Sequence, residues 1–289
     1  MQITEQTVRN LIAAQFPAWA DLPVRQVRSA GTVNAIFRVG ESLVARLPLA
    51  EGEDLHAEGY AAQQLLGRTR FVTPTPVAVG EPGPGFPRPW SVQTWLPGTI
   101  ATDDDPGAST GFAEDLAELI LGMRAVDTGG RAFDGRGRGG VIADQGEWMQ
   151  TCFANSERLL PVHHLRCLWD ALGDLPRGPD PDVMSHKDLM PGNVLVAGGR
   201  LAGVLDVGGF GPADPALDLV GAWHLLESGP REVLRERLGC GDAEWDRGRA
   251  WAFAQSMGLV WYYATTNPTM SRIGRRTLMR LLGGYPSAV

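Results

Sequence analysis

Three oxygen-bearing side chains stand around one short hairpin. Asp188 lies in the loop "SHKDLMPGN", Asn193 opens the apolar run "NVLVA", and Asp206 sits near the end of the next run, "LAGVLDV". "GGR" between the runs reads as a tight turn, giving a hairpin over 193–207. A hairpin brings its two ends together, so Asn193 and Asp206 are expected as neighbours with Asp188 close by. Converging oxygen donors of this kind suit magnesium, which takes few protein ligands and completes its shell with water and phosphate oxygens. The third carboxylate is then left free as a base. Taken singly, Asn193 is a turn residue after Pro191-Gly192 and Asp206 is a strand-end cap. Only the joint spacing points to chemistry.

A second oddity lies in the same loop. Lys187 is the single lysine in the chain, against 25 arginines. It stands between His186 and Asp188. Its ammonium either lends charge to the site or, because adjacent residues of an extended loop point opposite ways, faces away toward a carboxylate.

The elements that must position these residues fall into two parts. "TEQTVRNLIAAQF" carries a cap at Thr4 and apolar Val8, Leu11, Ile12 and Phe16 at helical spacing. Strand-like runs follow at 23–30, 34–40 and 42–48, then a helix over 52–67 despite Gly59, then strands at 75–81 and 89–98. That order predicts an antiparallel sheet with a helix laid on it. Beyond Gly98 the chain turns helical. Residues 109–127 place Leu116, Leu119, Ile120 and Met123 on one face, and 145–160 reads as another helix. Between them, "TGGRAFDGRGRGG" (128–140) reads as a solvated, mobile loop whose arginines could meet an anion. From Pro215 onward the chain is mostly helical and rich in tryptophan.

Composition sets the outer limits. The 289 residues are 44% hydrophobic and 20% charged, enough to bury one large core or two smaller ones. The chain has no apolar run of about eighteen residues, so no membrane span is expected, and its N-terminus lacks a signal-peptide pattern. The expected location is the cytoplasm. Cys152, Cys167 and Cys240 are odd in number and widely spaced, as reduced structural thiols would be. Net charge is −7, which argues against a nucleic-acid partner. Residues 1–96 hold eight acidic and eight basic residues, whereas 97–289 hold 25 and 18. A negative field there would attract cationic small molecules; it also serves solubility.

His186 to Asn193 fits H-x-D-x-x-x-x-N, and Asp206-Val207-Gly208 is similar to the metal-binding D-x-G of protein kinases. More closely, "SHKDLMPGNVLV" with "LAGVLDVGGFGPADPALDLVGAWHLL" resembles the aminoglycoside phosphotransferase family of small-molecule kinases. The resemblance implies an α+β, protein-kinase-like fold of two lobes, a small antiparallel-sheet lobe over 1–96 and a larger, mainly helical lobe over 97–289. It implies transfer of the γ-phosphoryl group of ATP or GTP, with Mg²⁺, to a hydroxyl of a small molecule. The acceptor implied is an aminoglycoside-type, cationic antibiotic, making the protein a resistance kinase.

Roles follow from the resemblance position by position. Asp188 would accept or orient the hydroxyl proton, with His186 bracing the loop. Asn193 and Asp206 would hold magnesium. "SAGTVN" (29–34), with Ser29, would cover the phosphates, and Gln93, Thr94, Trp95 and Leu96 would form the hinge that meets the base. Asp214 and Asp218 would organise the loop and the helix after the metal ligand. Asp103, Asp104 and Asp105 could meet cationic amines, and Trp223, Trp245, Trp251, Trp261, Tyr262 and Tyr263 could line the acceptor cleft. The same aromatics at helical spacing also serve as core.

Two positions depart from the family pattern. The third strand has Arg46 where a phosphate-gripping lysine is expected, with Glu58 as its best partner; arginine keeps the charge but differs in reach and geometry. Position 187, usually glycine, is lysine. Other readings stay open: a macrolide kinase, a sugar or amino-alcohol metabolite kinase, and a kinase-like nucleotide-binding module without activity. A P-loop is excluded because the only lysine follows His186. "AQSMG" at 254–258 faintly resembles a nucleophile elbow, but its flanks read as a core helix.

Overall fold

Thr4 accepts from the Thr7 N–H at 3.2 Å and starts helix α1 (Glu5–Gln15), whose Val8, Leu11 and Ile12 are buried. They pack with Val24, Phe37, Val39, Leu47, Trp90 and Val92 of a five-stranded sheet. Its strands are β1 (Val24–Val27), β2 (Asn34–Val39), β3 (Leu43–Pro48), β4 (Pro76–Gly80) and β5 (Trp90–Thr94). They lie in the order β1-β2-β3-β5-β4, and every neighbouring pair is antiparallel. Gly40 supplies the positive φ of 59° that the β2–β3 turn requires. This computed structural model describes residues 3–27, 31, 33–51 and 54–283. The last part of the first expected strand, and Ser29 with it, lies outside the described residues.

Helix α2 (Ala57–Leu65) follows β3, shorter than expected at both ends. Gly59 within it has a reason: a Cβ there would meet Pro76 Cγ at 3.0 Å, so its absence lets β4 approach. Ala61 and Leu65 of α2 face the other way, into the large core of the helical part.

That second core is built on helices α3 (Thr110–Arg124), α4 (Gly146–Ser156), α5 (Val162–Leu172), α6 (Val220–Leu225), α7 (Ser228–Leu238), α8 (Asp242–Tyr262) and α9 (Pro268–Leu281). In α3, Ser109 caps by accepting from the Phe112 N–H at 3.1 Å, and Leu116, Leu119, Ile120 and Met123 are all buried. α8 is the axle of this part. Fourteen of its 21 residues are buried, on all its faces, and Arg247 and Gln255 among them are hydrogen-bonded inside the protein. The expected two-part α+β arrangement is therefore present, a small antiparallel sheet beside a larger helical body.

Strands β6 (Thr99–Ile100), β8 (Val194–Ala197) and β9 (Arg200–Val204) form a small sheet, and β7 (Val183–Ser185) pairs with β10 (Gly211–Ala213). The β8–β9 hairpin turns on Gly198 and Gly199, both at positive φ (58° and 71°), as a two-residue hairpin loop demands. β6, β7 and β10, two or three residues long, carry no alternation from which to read them.

One buried carboxylate joins the parts. Asp115 of α3 is 1% exposed and accepts from Arg70 at 2.5 Å, from Arg200 Nε at 2.6 Å and from the Leu201 N–H at 3.1 Å. Burial by itself would raise its carboxyl, but the Arg200 guanidinium, the Leu201 amide and Arg70 together hold it below the usual range.

Several expectations are corrected here. Trp223, Trp245 and Trp251 are core rather than cleft, at 2%, 7% and 0% exposure; Trp223 packs on Trp245 with ring centroids 4.8 Å apart. The segment 128–140 is largely exposed, as a solvated loop would be, yet it is tied to the body at defined points. Gly139 accepts from the Asp214 N–H at 2.8 Å, and the Phe133 N–H donates to Asp182 at 2.7 Å. A Cβ at Gly139, whose φ is 122°, would come within 2.8 Å of Ala213, so only glycine fits that crossing.

Candidate active site

The loop that carries Asp188 hangs between β7 and β8 from a buried aspartate. Asp218, 2% exposed, accepts from the His186 N–H at 2.9 Å and the Lys187 N–H at 3.0 Å. His186, 1% exposed, spans the loop from inside: Nε2 donates to Leu205 O at 2.9 Å and Nδ1 accepts from the Asp188 N–H at 3.3 Å. A carbonyl can only accept and an amide N–H can only donate, so the ring carries its proton on Nε2. The loop is thus tied to the end of β9, where Asp206 lies. Asp214 serves the neighbouring turn, accepting from the Ala216 N–H at 3.0 Å and Arg247 Nε at 3.0 Å.

The hairpin brings its ends together as expected. The Leu205 N–H donates to Asn193 O at 2.8 Å, which sets Asn193 beside Asp206. Asn193 Nδ2 donates to the Asp188 carbonyl at 3.0 Å and to Asp188 Oδ2 at 2.9 Å. An amide has one oxygen, and this use of the nitrogen leaves that oxygen turned from Asp188. Asp206 adopts φ 58° and ψ 49°, a left-handed conformation, and its side chain is about half exposed. The next 3₁₀ turn, Val207–Gly209, packs under α2; a Cβ at Gly208 would lie 3.1 Å from Glu58 Cγ.

Asp188 is not free. Its Oδ1 accepts from Gln255 Nε2 at 2.7 Å and from Arg138 at 2.9 Å, while Oδ2 takes the Asn193 bond. The carboxylate remains about one-third exposed. It borders a pocket of about 270 Å³ that also meets Arg136, Arg138, Lys187 and Asp206. Three cationic side chains therefore line the space beside two carboxylates, a distribution matched to an anionic group such as a phosphoryl.

Lys187 does not sit in an extended stretch. Its φ is 70°, so the loop here is left-handed rather than extended, and the alternation expected of an extended segment fails. Residue 187 borders the same pocket, while its ammonium lies 5.7 Å from the Phe133 ring centroid and beside Gly211; among the described residues it forms no ion pair. This is the conformation that favours glycine, which gives a physical reason for the glycine usual at this place in the resembled pattern.

In the sheet, Arg46 of β3 is paired with Glu58 of α2 and reaches Asp206 Oδ1 at 3.3 Å with its second guanidinium nitrogen. Glu58 is 9% exposed and also accepts from Gln93 Nε2. β3, α2, β5 and the end of the hairpin are thereby joined through one carboxylate and one guanidinium. The Gln93 side chain points into this network and is 1% exposed. The Thr94 and Trp95 amides donate to Thr75 O and Ser42 O at 2.9 and 2.7 Å, Arg38 covers the Trp95 ring at 4.9 Å, and Leu96 lies against Gly203.

The expected acceptor residues divide. Asp103 and Asp104 are exposed, while Asp105 is ion-paired with Arg276. Trp261 is partly buried between Trp148 (5.7 Å) and Tyr262 (5.8 Å), and Tyr262 is 61% exposed. Beside the Asp188 loop stands a small apolar cluster, Met190 with Leu259 and Ile273, flanked by Tyr263 and Met270. Two residues on Asp188 escaped the reading of the sequence. Arg138 lies in a largely exposed glycine-rich segment and Gln255 in the core helix α8. The usable signal for Gln255 is an amide within the largely apolar run 250–260, where a buried amide is expected to be hydrogen-bonded.

With the geometry in place, comparison with known proteins adds the family. The chain is 40% identical over 72 residues to an aminoglycoside 3'-phosphotransferase of Escherichia coli, 25% of this chain and 26% of that protein. It is 28% identical over 128 residues to a homoserine kinase of Gluconobacter oxydans, 41% of this chain and 37% of that protein. The aligned segments thus span well under half of either curated relative. Among solved structures, the GDP complex of aminoglycoside 2'-phosphotransferase-IIIa superposes with a TM-score of 0.68 at 16% identity, over 98% of this chain and 100% of that one. At that identity the likeness speaks for the fold, and it extends over both parts of the molecule. Residues 24–251, well over half the chain, match the model of the phosphotransferase enzyme family (APH), and the chain belongs to that family.

Proposed function

We propose that this protein is a magnesium-dependent phosphotransferase that moves the γ-phosphoryl group of ATP or GTP to a hydroxyl of a small molecule, an aminoglycoside-type compound first among them. The observation that carries the reading is a pocket bordered by Asp188 and Asp206 together with Arg138 and Lys187, with Asn193 hydrogen-bonded to Asp188. Asp188 orients the acceptor hydroxyl and takes its proton. Arg138, now on Asp188, is within reach of the transferring phosphoryl and supplies charge where the loose transition state spreads it over the phosphoryl oxygens. Arg46, held by Glu58, is the cation for the nucleotide phosphates. The backbone of Gln93 to Leu96 forms the base-binding edge.

The donor set fits magnesium. Asn193 has its amide nitrogen turned to Asp188, and Asp206 has a half-exposed carboxylate. Among the described residues no three His, Cys, Asp or Glu side chains converge as a cage. A cation held here would draw its other ligands from phosphate and water, the habit of Mg²⁺. Bound, it would neutralise charge between the nucleotide phosphates.

For the acceptor, the acidic excess of residues 97–289 favours a cationic molecule. A second reading has its own observation: Arg136, Arg138 and Lys187 would also welcome an acceptor bearing an acid group beside its hydroxyl, as a hydroxy amino acid does. The deciding experiment incubates the protein with Mg²⁺, ATP or GTP, and a panel of aminoglycosides, macrolides, sugar alcohols and hydroxy amino acids, and seeks a gain of one phosphoryl group by mass spectrometry. Asp188→Asn is expected to abolish the gain while nucleotide binding persists. Clear nucleotide binding with no product from any acceptor would favour a binding module instead.

A further inference from the structure

Behind Asp188 runs a line of buried polar groups for which the family motif has no place. Gln255 of α8 donates Nε2–H to Asp188 Oδ1 at 2.7 Å. Its Oε1 lies 3.1 Å from Nε2 of His224 on α6, and His224 Nδ1 lies 2.8 Å from Oγ1 of Thr277 on α9. Gln255, His224 and Thr277 are 7%, 1% and 0% exposed. Three helices that meet only in the interior each contribute one polar side chain, and the line ends on the carboxylate proposed to face the acceptor.

We propose that Gln255, His224 and Thr277 form a one-directional hydrogen-bond relay that positions Asp188. The inference rests on the reading of Asp188 given above. The direction follows from what each atom can do. A carboxylate only accepts, so Gln255 must turn its NH₂ to Asp188 and its carbonyl oxygen to His224. That oxygen needs a donor, so His224 carries its proton on Nε2. Nδ1 is then a bare acceptor and requires the Thr277 hydroxyl to donate. Thr277 Oγ1 also lies 3.0 Å from Ile273 O, the alternative target for its single proton. If Thr277 donates there instead, a ring with one proton must place it on Nδ1. Its Nε2 lone pair would then face the Gln255 oxygen, and a flipped Gln255 would set that oxygen against the Asp188 carboxylate. Only one arrangement with a singly protonated ring satisfies Gln255, His224 and Asp188 together. Burial, foremost, holds His224 down to about 4, which keeps the ring singly protonated at neutral pH.

The function of such a line is to fix the carboxylate plane. Asn193 and Arg138 also hold Asp188, but both lie where nucleotide, metal and acceptor must enter, and both are to be shared with them. Gln255 approaches from the packed side and keeps its bond through the reaction. It is a positioning residue, with His224 and Thr277 acting through it.

The test uses the full chain and begins without any variant. Imidazole ¹⁵N shifts at pH 7, from only five histidines, report the tautomer of His224. The expected result is a proton on Nε2 with Nδ1 bare; an Nδ1–H ring, or a doubly protonated one, overturns the relay. Because the tautomer is read without turnover, it decides the relay even if no acceptor is phosphorylated, an outcome that would sink the functional reading instead. In the active enzyme, Gln255→Met keeps the shape and removes the bond. It should lower kcat by about 10- to 100-fold with nucleotide KM little changed, the signature of a misoriented reacting group. Thr277→Val should release the tautomer and lower kcat, whereas Thr277→Ser should recover both, a rescue that mere packing would not show. An unaltered kcat in Gln255→Met would overturn the positioning role.

Discussion

Arg138 Nη2 stands 2.9 Å from Asp188 Oδ1, so the guanidinium covers part of a carboxylate that is otherwise about one-third exposed. Two behaviours can be separated. If Arg138 moves to the phosphoryl during transfer, Arg138→Ala should lower kcat on the order of 100-fold while nucleotide affinity changes little. If it only obstructs Asp188, the same variant should be faster than wild type. Steady-state kinetics with a saturating acceptor distinguish the two, and we expect the loss.

Lys187 bears a cost in backbone conformation. At φ 70° a side chain with a Cβ is disfavoured by roughly 1–2 kcal/mol relative to the right-handed region, and glycine is not. Lys187→Gly should therefore raise the unfolding free energy by about 1 kcal/mol in a urea titration. Turnover then reports on the ammonium. Unchanged kcat and nucleotide affinity would show that the lysine serves neither the phosphoryl nor the nucleotide.

Arg46 touches two carboxylates through different nitrogens, Glu58 and, at 3.3 Å, Asp206. A lysine ammonium is a single point and cannot reproduce that fork. Arg46→Lys should keep the Glu58 pair, lose the bridge to Asp206 and weaken nucleotide binding several-fold, measured by titration calorimetry. Arg46→Ala should cost more, about 3 kcal/mol of stability, because Glu58 at 9% exposure is left charged with only Gln93 beside it.

Acid should act on this protein in two windows. His224 is lowered from 6.5 to about 4 by burial, so the unfolded chain binds the extra proton first. Stability contributed by the uncharged ring is present above the ordinary histidine range and declines as pH falls from about 6.5 toward 4, by on the order of 3 kcal/mol in total. Asp115 is also lowered, so its contribution is present above the ordinary aspartate value of 3.8 and is lost only below it, as pH falls through its folded value. Unfolding titrations between pH 7 and 3 should show the first slope vanish in His224→Gln and the second, later loss vanish in Asp115→Asn.

Much of the site was legible because its residues are close in sequence. Asp188, Asn193 and Asp206 surround one hairpin, and hairpin geometry brings its ends together whatever the rest of the chain does. The same locality made α1, α3 and most strands of the five-stranded sheet readable from periodicity. Glu58 was legible as the partner of Arg46 through the resemblance, which supplies a long-range pairing that periodicity does not.

The contacts that failed to show are those made between distant segments. Arg138 comes from a glycine-rich stretch 50 residues before Asp188, and Gln255 from a helix 67 residues after it. Neither has a local pattern, since a side chain's partner across a core depends on how helices pack. Trp223, Trp245 and Trp251 were ambiguous for the same reason: helical spacing tells that a face is apolar, not whether core or cleft covers it. Lys187 was misread because an extended loop was assumed, and its left-handed turn arises only when Asp218, 31 residues on, ties down its amide. Chain order alone thus brought Asp188, Asn193 and Asp206 together around one hairpin. Packing between α6, α8 and α9 and the path of the 128–140 segment decided what holds and screens Asp188, because those bonds exist only once the helices have buried their apolar faces against one another.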